Sequence, residues 1–196
     1  MEKETQFYFD LFMTQFTQMG VEAKNFTRSI LSIKEYDKNE LVFKSGEVQK
    51  NIGFLCQGLL RKYYINHKGN KITISFISEK GYATDYPSFI RQVPSKYYIE
   101  CLEPSIIVTM SYEKLQEAYQ KHKDSEMYGR LIAEKVLTRE TDRVESFLFD
   151  TTEERYLSFI DQNKNIYNRI SLTHLASYLG IERQSLSRIR SKLAKS

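Results

Sequence analysis

Arg183, Gln184, Ser187, Arg188 and Arg190 fall on one face of a short helical repeat near the C-terminal end of the chain. Each is a side chain suited to nucleic acid. Arginine presents a fork that matches the paired acceptors of guanine, glutamine pairs with adenine, and serine serves bases or phosphates. The first turn of a helix also turns backbone N–H groups toward phosphate. A merely solvated helix would mix both charge signs, yet Glu182 is the only acid nearby. No other constellation points to chemistry. Cys56 and Cys101 lie far apart and read as buried, inert core residues, without the cluster an iron–sulfur centre requires. His67, His122 and His174 are too scattered for a metal site, so none is expected. No phosphate-cradling glycine loop, nucleophile elbow or carboxylate pair occurs, which argues against an enzyme.

The elements that must position the basic face are legible around it. Residues 171–181 read as a short helix ending at Gly180, and a second helix follows from Glu182. Leu175, Ala176 and Leu179 of the first would meet Leu186, Ile189 and Leu193 of the second across a tight turn, which is helix-turn-helix spacing. Charge is concentrated here. The last 28 residues hold six basic side chains, Lys192 and Lys195 among them, against one acid, whereas the preceding 168 hold 23 basic and 24 acidic. A near-neutral body with a basic end module points to double-stranded DNA.

Upstream, residues 7–19 carry Phe7, Tyr8, Leu11, Phe12, Phe16 and Met19 at helical spacing, a packing stripe. Runs rich in Ile, Val, Phe, Tyr and Thr then recur at 30–36, 41–44, 53–56, 59–65, 72–77, 97–102 and 106–110, predicting an antiparallel sandwich or roll. Ser111 can cap a helix. A proline-free segment from 125 to 149 predicts a long helix, on which Leu137, Thr141, Val144 and Leu148 follow the 4-3-4 spacing of a seam against a partner helix. Thr151 and Glu154 form a capping box for the next. The expected fold class is therefore α+β: a β-roll with flanking helices (1–122), a long dimerisation helix (123–150) and a helix-turn-helix (151–196). Of the 196 residues 41% are hydrophobic and 28% charged, an ordinary globular composition. No run approaches a membrane span, the polar start lacks a signal core, and two cysteines suit a reducing cytoplasm.

This arrangement resembles the Crp/Fnr family of bacterial transcription regulators over nearly the whole chain. Phe43-Lys44-Ser45-Gly46-Glu47 followed by Gly53-Phe54-Leu55-Cys56-Gln57-Gly58 is similar to the family's first roll strands, and Leu175–Ile181 with Arg183–Arg188 to its DNA-binding pair. The resemblance implies a cytoplasmic homodimer with RNA polymerase among its partners. It implies base reading by Arg183, Gln184 and Arg188, and DNA backbone contacts by Ser185 and Ser187, with Thr173 capping the first helix against the backbone. The flanking Arg190 and Lys192 are further backbone candidates. Gln184 stands where many members carry Glu. The chain stops at Ser196, so the family's β-hairpin wing is expected to be absent.

The sensor departs further. Cyclic-nucleotide binders use Gly-Glu for the ribose and Arg-Ser or Arg-Thr for the phosphate. Here Asp85-Tyr86 and Ser95-Lys96 occupy those places, with Tyr82 and Tyr97 beside them. These six residues form the candidate effector pocket. Without arginine's fork, and with Asp85 opposing an anion, neither cAMP nor cGMP is expected as a ligand and no cofactor is assigned. Two rival readings remain: a small-molecule-binding roll whose C-terminal helices make protein contacts, and a metal-dependent roll enzyme.

Overall fold

The computed structural model describes residues 2–193. Helices α1 (Glu2–Met13) and α2 (Val21–Ser29) open the chain. The aromatic run expected as one helix over 7–19 breaks after Met13. There the Thr14 hydroxyl and the Gln15 amide donate to the carbonyls of Leu11 and Phe12, competing with the helical ladder. Tyr8, Phe12, Phe16 and Met19 are nevertheless all buried.

Eight strands follow: β1 (Ser32–Tyr36), β2 (Leu41–Phe43), β3 (Asn51–Gln57), β4 (Leu60–Ile65), β5 (Lys71–Ile77), β6 (Tyr82–Ala83), β7 (Tyr98–Cys101) and β8 (Ser105–Ser111), with the short helix α3 (Tyr86–Arg91) after β6. They form two antiparallel sheets of order β1-β8-β3-β6 and β2-β7-β4-β5. Between them lies a core of Phe43, Leu55, Leu60, Ile77, Ile99 and Ile107. A second core packs α1 and α2 on the outer face of the first sheet, through Phe12, Phe16, Phe54 and Val108. Gly58 turns β3 into β4 at φ +107°, and a Cβ there would stand 2.3 Å from the Ser105 hydroxyl. Burial pushes the thiols of Cys56 and Cys101 up to about 11, which leaves both protonated.

The C-terminal half is helical: α4 (Tyr112–Lys121), α5 (Lys123–Phe149), α6 (Thr152–Gln162), α7 (Leu172–Leu179) and α8 (Arg183–Leu193). Ser111 accepts from Lys114 N at the start of α4, and Thr151 and Glu154 form the expected reciprocal cap on α6. The first turns of α5 are buried at Ser125 and Gly129. Farther along, one face of the helix still meets the roll at Glu140, and on the other Leu137, Val144 and Leu148 stand 69%, 58% and 71% exposed, with Thr141 exposed between them. An apolar stripe of this kind on a 27-residue helix is an uncovered face. No helix of the described residues is long and apolar enough to cross a membrane.

Candidate nucleic-acid interface

The α7–α8 pair is shaped by local rules. Ser171 caps α7 by accepting from His174 N. Thr173, expected as the capping residue, is instead exposed at the second helical position. Gly180 ends α7 at φ +73°, and a Cβ there would meet the Phe147 ring at 2.9 Å, so the turn needs glycine twice over. Leu175, Ala176, Leu179 and Leu186 are buried together with Ile189 and Leu193 against them, which fixes the crossing of the two helices.

With that face consumed, Arg183, Gln184, Ser187 and Arg188 stand exposed on α8, and Ser185 is half-buried. No acid among the described residues lies within ion-pair distance of Arg183 or Arg188. The Ser187 hydroxyl donates to the Arg183 carbonyl one turn back. The two flanking cations are partly engaged within the chain. Lys192 Nζ is 2.7 Å from Glu153 of α6, and Arg190 sits beside the Tyr156 hydroxyl, itself 2.8 Å from that of Tyr167. Lys195 lies outside the described residues.

The other face of α7 is docked on the roll, a feature the sequence reading missed. Thr73 N donates to Ser177 Oγ at 2.9 Å, and Arg61 Nη1 stands 3.1 Å from His174 Nε2. Arg61, only 3% exposed, also donates to Thr73 Oγ1 at 2.9 Å, Glu100 at 3.0 Å and the Lys71 carbonyl at 3.2 Å. Leu59, Phe76 and Leu102 of the roll complete the helical core. Ahead of α7, Arg169 ties to Glu79 at 2.8 Å, Glu103 at 2.6 Å and the Gly58 carbonyl at 3.0 Å. Burial alone would raise the Glu79 carboxyl, but the Arg169 bonds outweigh it and leave the group below its usual value. Two further arginines hold the far end of α7. Arg143 donates to the Tyr178 carbonyl and lies over the Tyr178 and Phe147 rings, and Arg155 reaches the Leu179 carbonyl. The one hint in the sequence was charge inside an apolar strand, Leu60-Arg61-Lys62-Tyr63.

Burial first, and then the neighbouring Arg61 charge, hold His174 below its ordinary 6.5, with Glu100 opposing and Lys71 adding to the effect. A depressed histidine stabilises the docked state fully above the unfolded value. That contribution is lost as pH falls below about 6.5 toward the folded value. Melting temperature is therefore expected to drop between pH 7.5 and pH 5.5, and to drop less in His174→Gln. An identical drop in the variant would assign the acid sensitivity to other groups.

The six candidate effector residues are divided by the sheets. Asp85 and Ser95 are buried together, Ser95 Oγ donating to Asp85 at 2.7 Å and accepting from Tyr97 N at 3.0 Å. Lys96 is exposed. Tyr82 and Tyr86 belong to the helix-covered outer side, where Tyr82 packs on Phe54 and donates to Gln15 at 3.2 Å. The six therefore do not form one pocket. Beside Tyr97 stands a residue the sequence reading did not name: Lys62, 5% exposed, its Nζ 5.3 Å from the Tyr97 ring and 3.5 Å from Glu140 of α5. Among the described residues no cluster of His, Cys, Asp or Glu could hold a metal ion.

Residues 33–122 match the family described as cyclic nucleotide-binding domain. No curated protein matches the chain. Solved structures of similar fold include FixK2 from Bradyrhizobium japonicum, with TM-score 0.75 at 15% identity over 85% of either chain. The c-di-GMP-responsive global regulator CLP from Xanthomonas campestris gives 0.69 at 15% identity over 90% of this chain and 92% of that one. The catabolite activator protein of Thermus thermophilus gives 0.56 at 17% identity, over 92% and 86%. At such identities the likeness is one of fold.

Proposed function

We propose that this chain, built on the fold of the Crp/Fnr regulators, is a homodimeric, sequence-specific DNA-binding transcription regulator and not an enzyme. The observation that carries this reading is the division of labour in the α7–α8 pair. One face is spent on the roll and on the helical core, and the exposed remainder is Arg183, Gln184, Ser187 and Arg188. The uncovered stripe on α5 supports a two-fold dimer. That dimer sets two recognition helices about 34 Å apart on a near-palindromic site.

A gel-shift salt titration tests the reading, since phosphate neutralisation gives a steep salt slope and protein contacts do not. Arg183→Ala or Arg188→Ala is expected to cost about 1–3 kcal/mol on the preferred site and to relax specificity at one base pair per half-site. Equal losses on specific and random DNA would make Arg183 a phosphate contact. No binding to any DNA by a folded dimer would favour the protein-contact reading instead.

In this proposal the roll does not respond to cAMP or cGMP. Asp85 is held by Ser95 where a cyclic phosphate would need a cation, and Lys62 is already committed toward Glu140. A ligand at one hundred times its dissociation constant stabilises by about 2.7 kcal/mol. Melting temperature is accordingly expected to stay unchanged in millimolar cAMP. A rise with cAMP that AMP does not produce would overturn this part of the proposal.

A further inference from the structure

A chamber of about 50 Å³ lies between α1, α2, the outer face of the β1-β8-β3-β6 sheet, α4 and the first turns of α5. Asp85, Ser95 and Lys62 do not line it. Phe12, Phe16, Met19, Phe54 and Met110 wall it, and none of its lining side chains carries a formal charge. Most hydroxyls around it are spent elsewhere. Tyr82 donates to Gln15, Tyr128 accepts from Gln18 N, and Thr109 donates to the Ser32 carbonyl. The hydroxyls of Tyr86, Tyr119 and Ser125 are not so engaged, and of these Ser125 Oγ is the one fully buried: the residue is 6% exposed, lines the chamber, and its Oγ has no hydrogen-bond partner.

Two costs therefore sit on the opening turns of α5. A buried hydroxyl left unpaired loses its hydration without recovering a hydrogen bond. Gly129, inside a helix where glycine is a weaker former than alanine, is needed because a Cβ would stand 2.3 Å from the Tyr119 hydroxyl. A resident water answers poorly. A single water paired with Ser125 Oγ would fill only part of the space and leave the apolar walls facing a void. The volume exceeds the roughly 10–15 Å³ that a water requires and is about a third of the roughly 150 Å³ that admits benzene. Met19 and Met110 in the wall can re-pack to enlarge it.

We propose that this chamber is a binding site for a small uncharged molecule of a few heavy atoms, apolar over most of its surface and carrying one hydroxyl or carbonyl oxygen that pairs with Ser125 Oγ. Short-chain alcohols and carbonyl compounds have this chemistry. The lining residues Ser125, Tyr128, Gly129 and Ile132 belong to the helix whose distal part carries the uncovered stripe. Occupancy therefore bears on how α5 is seated, and the site stands whether or not the chain binds DNA.

Ethanol, small enough for this volume, is the probe, followed by saturation-transfer NMR on the full chain. Saturable transfer is expected in the wild type. Ser125→Ala should weaken it about fivefold, the loss of one hydrogen bond worth about 1 kcal/mol. Ala118→Leu, which fills the chamber from α4, should abolish it. Without the alcohol, Ser125→Ala should melt no lower than the wild type, because it removes an unpaired buried group. That variant carries the test alone if Ala118→Leu does not fold. The proposal is overturned by absence of transfer in the wild type, by equal transfer in Ala118→Leu, or by an unchanged affinity in Ser125→Ala. A lower melting temperature for uncomplexed Ser125→Ala also overturns it, since the hydroxyl would then be serving a bound water.

Discussion

Val144→Glu is expected to turn a dimer into a monomer that remains folded. Val144 makes no core contact within the chain, where it is 58% exposed midway along the stripe of Leu137, Thr141 and Leu148. The variant therefore leaves the fold of one chain intact. At a two-fold seam it places two carboxylates face to face in an apolar setting, and burying an unpaired charge is among the largest penalties available. Sedimentation reads the outcome directly. The consequence for DNA is larger still. Two linked recognition modules gain about 10²–10⁴ over one by effective concentration, so the monomer should lose at least a hundredfold on a palindromic site and much less on a half-site. A wild-type monomer at high concentration would end the seam argument, and a Val144→Glu dimer would move the interface elsewhere.

Arg61→Leu should cost about 3 kcal/mol, because removing one partner of a buried pair strands the other. The guanidinium serves Glu100, Thr73, the Lys71 carbonyl and His174 at once. Its loss leaves the Glu100 carboxylate, itself 12% exposed, with only Lys71 at 3.4 Å and the Tyr63 hydroxyl beside it. For a chain of this size the expected fall in melting temperature is about 6–12 °C. Arg61→Leu combined with Glu100→Gln should recover part of it, since the stranded charge is gone. Proteolysis should also quicken at residues 163–170, between α6 and α7, once α7 is released from the roll. A loss below about 1 kcal/mol would mean that water replaces the arginine.

The parts of this protein that were legible in its residues are those governed by neighbours in the chain. Ser111 and Thr151 announce helix starts because the hydroxyl that caps an N–H lies three residues from it. Gly180 announces the turn because few other residues accept φ +73°. Periodicity placed the long helix and most strands, and the unbalanced charge of Arg183, Arg188 and their neighbours marked the exposed face of α8. Missed were β6 with two residues and α3 with six, too short to show a period, and the nine-residue α2, in which only Ala23 and Thr27 are buried. Only the tertiary structure decided which charges go inside. Arg61, Lys62 and Arg169 look in sequence like any surface cations, and their partners Glu100, Glu140 and Glu103 lie 39, 78 and 66 positions away. Nor could spacing along the strands separate Tyr82 and Tyr86 from Asp85 and Ser95. Which face of a sheet is covered by helices and which by its partner sheet depends on packing between segments far apart in the chain.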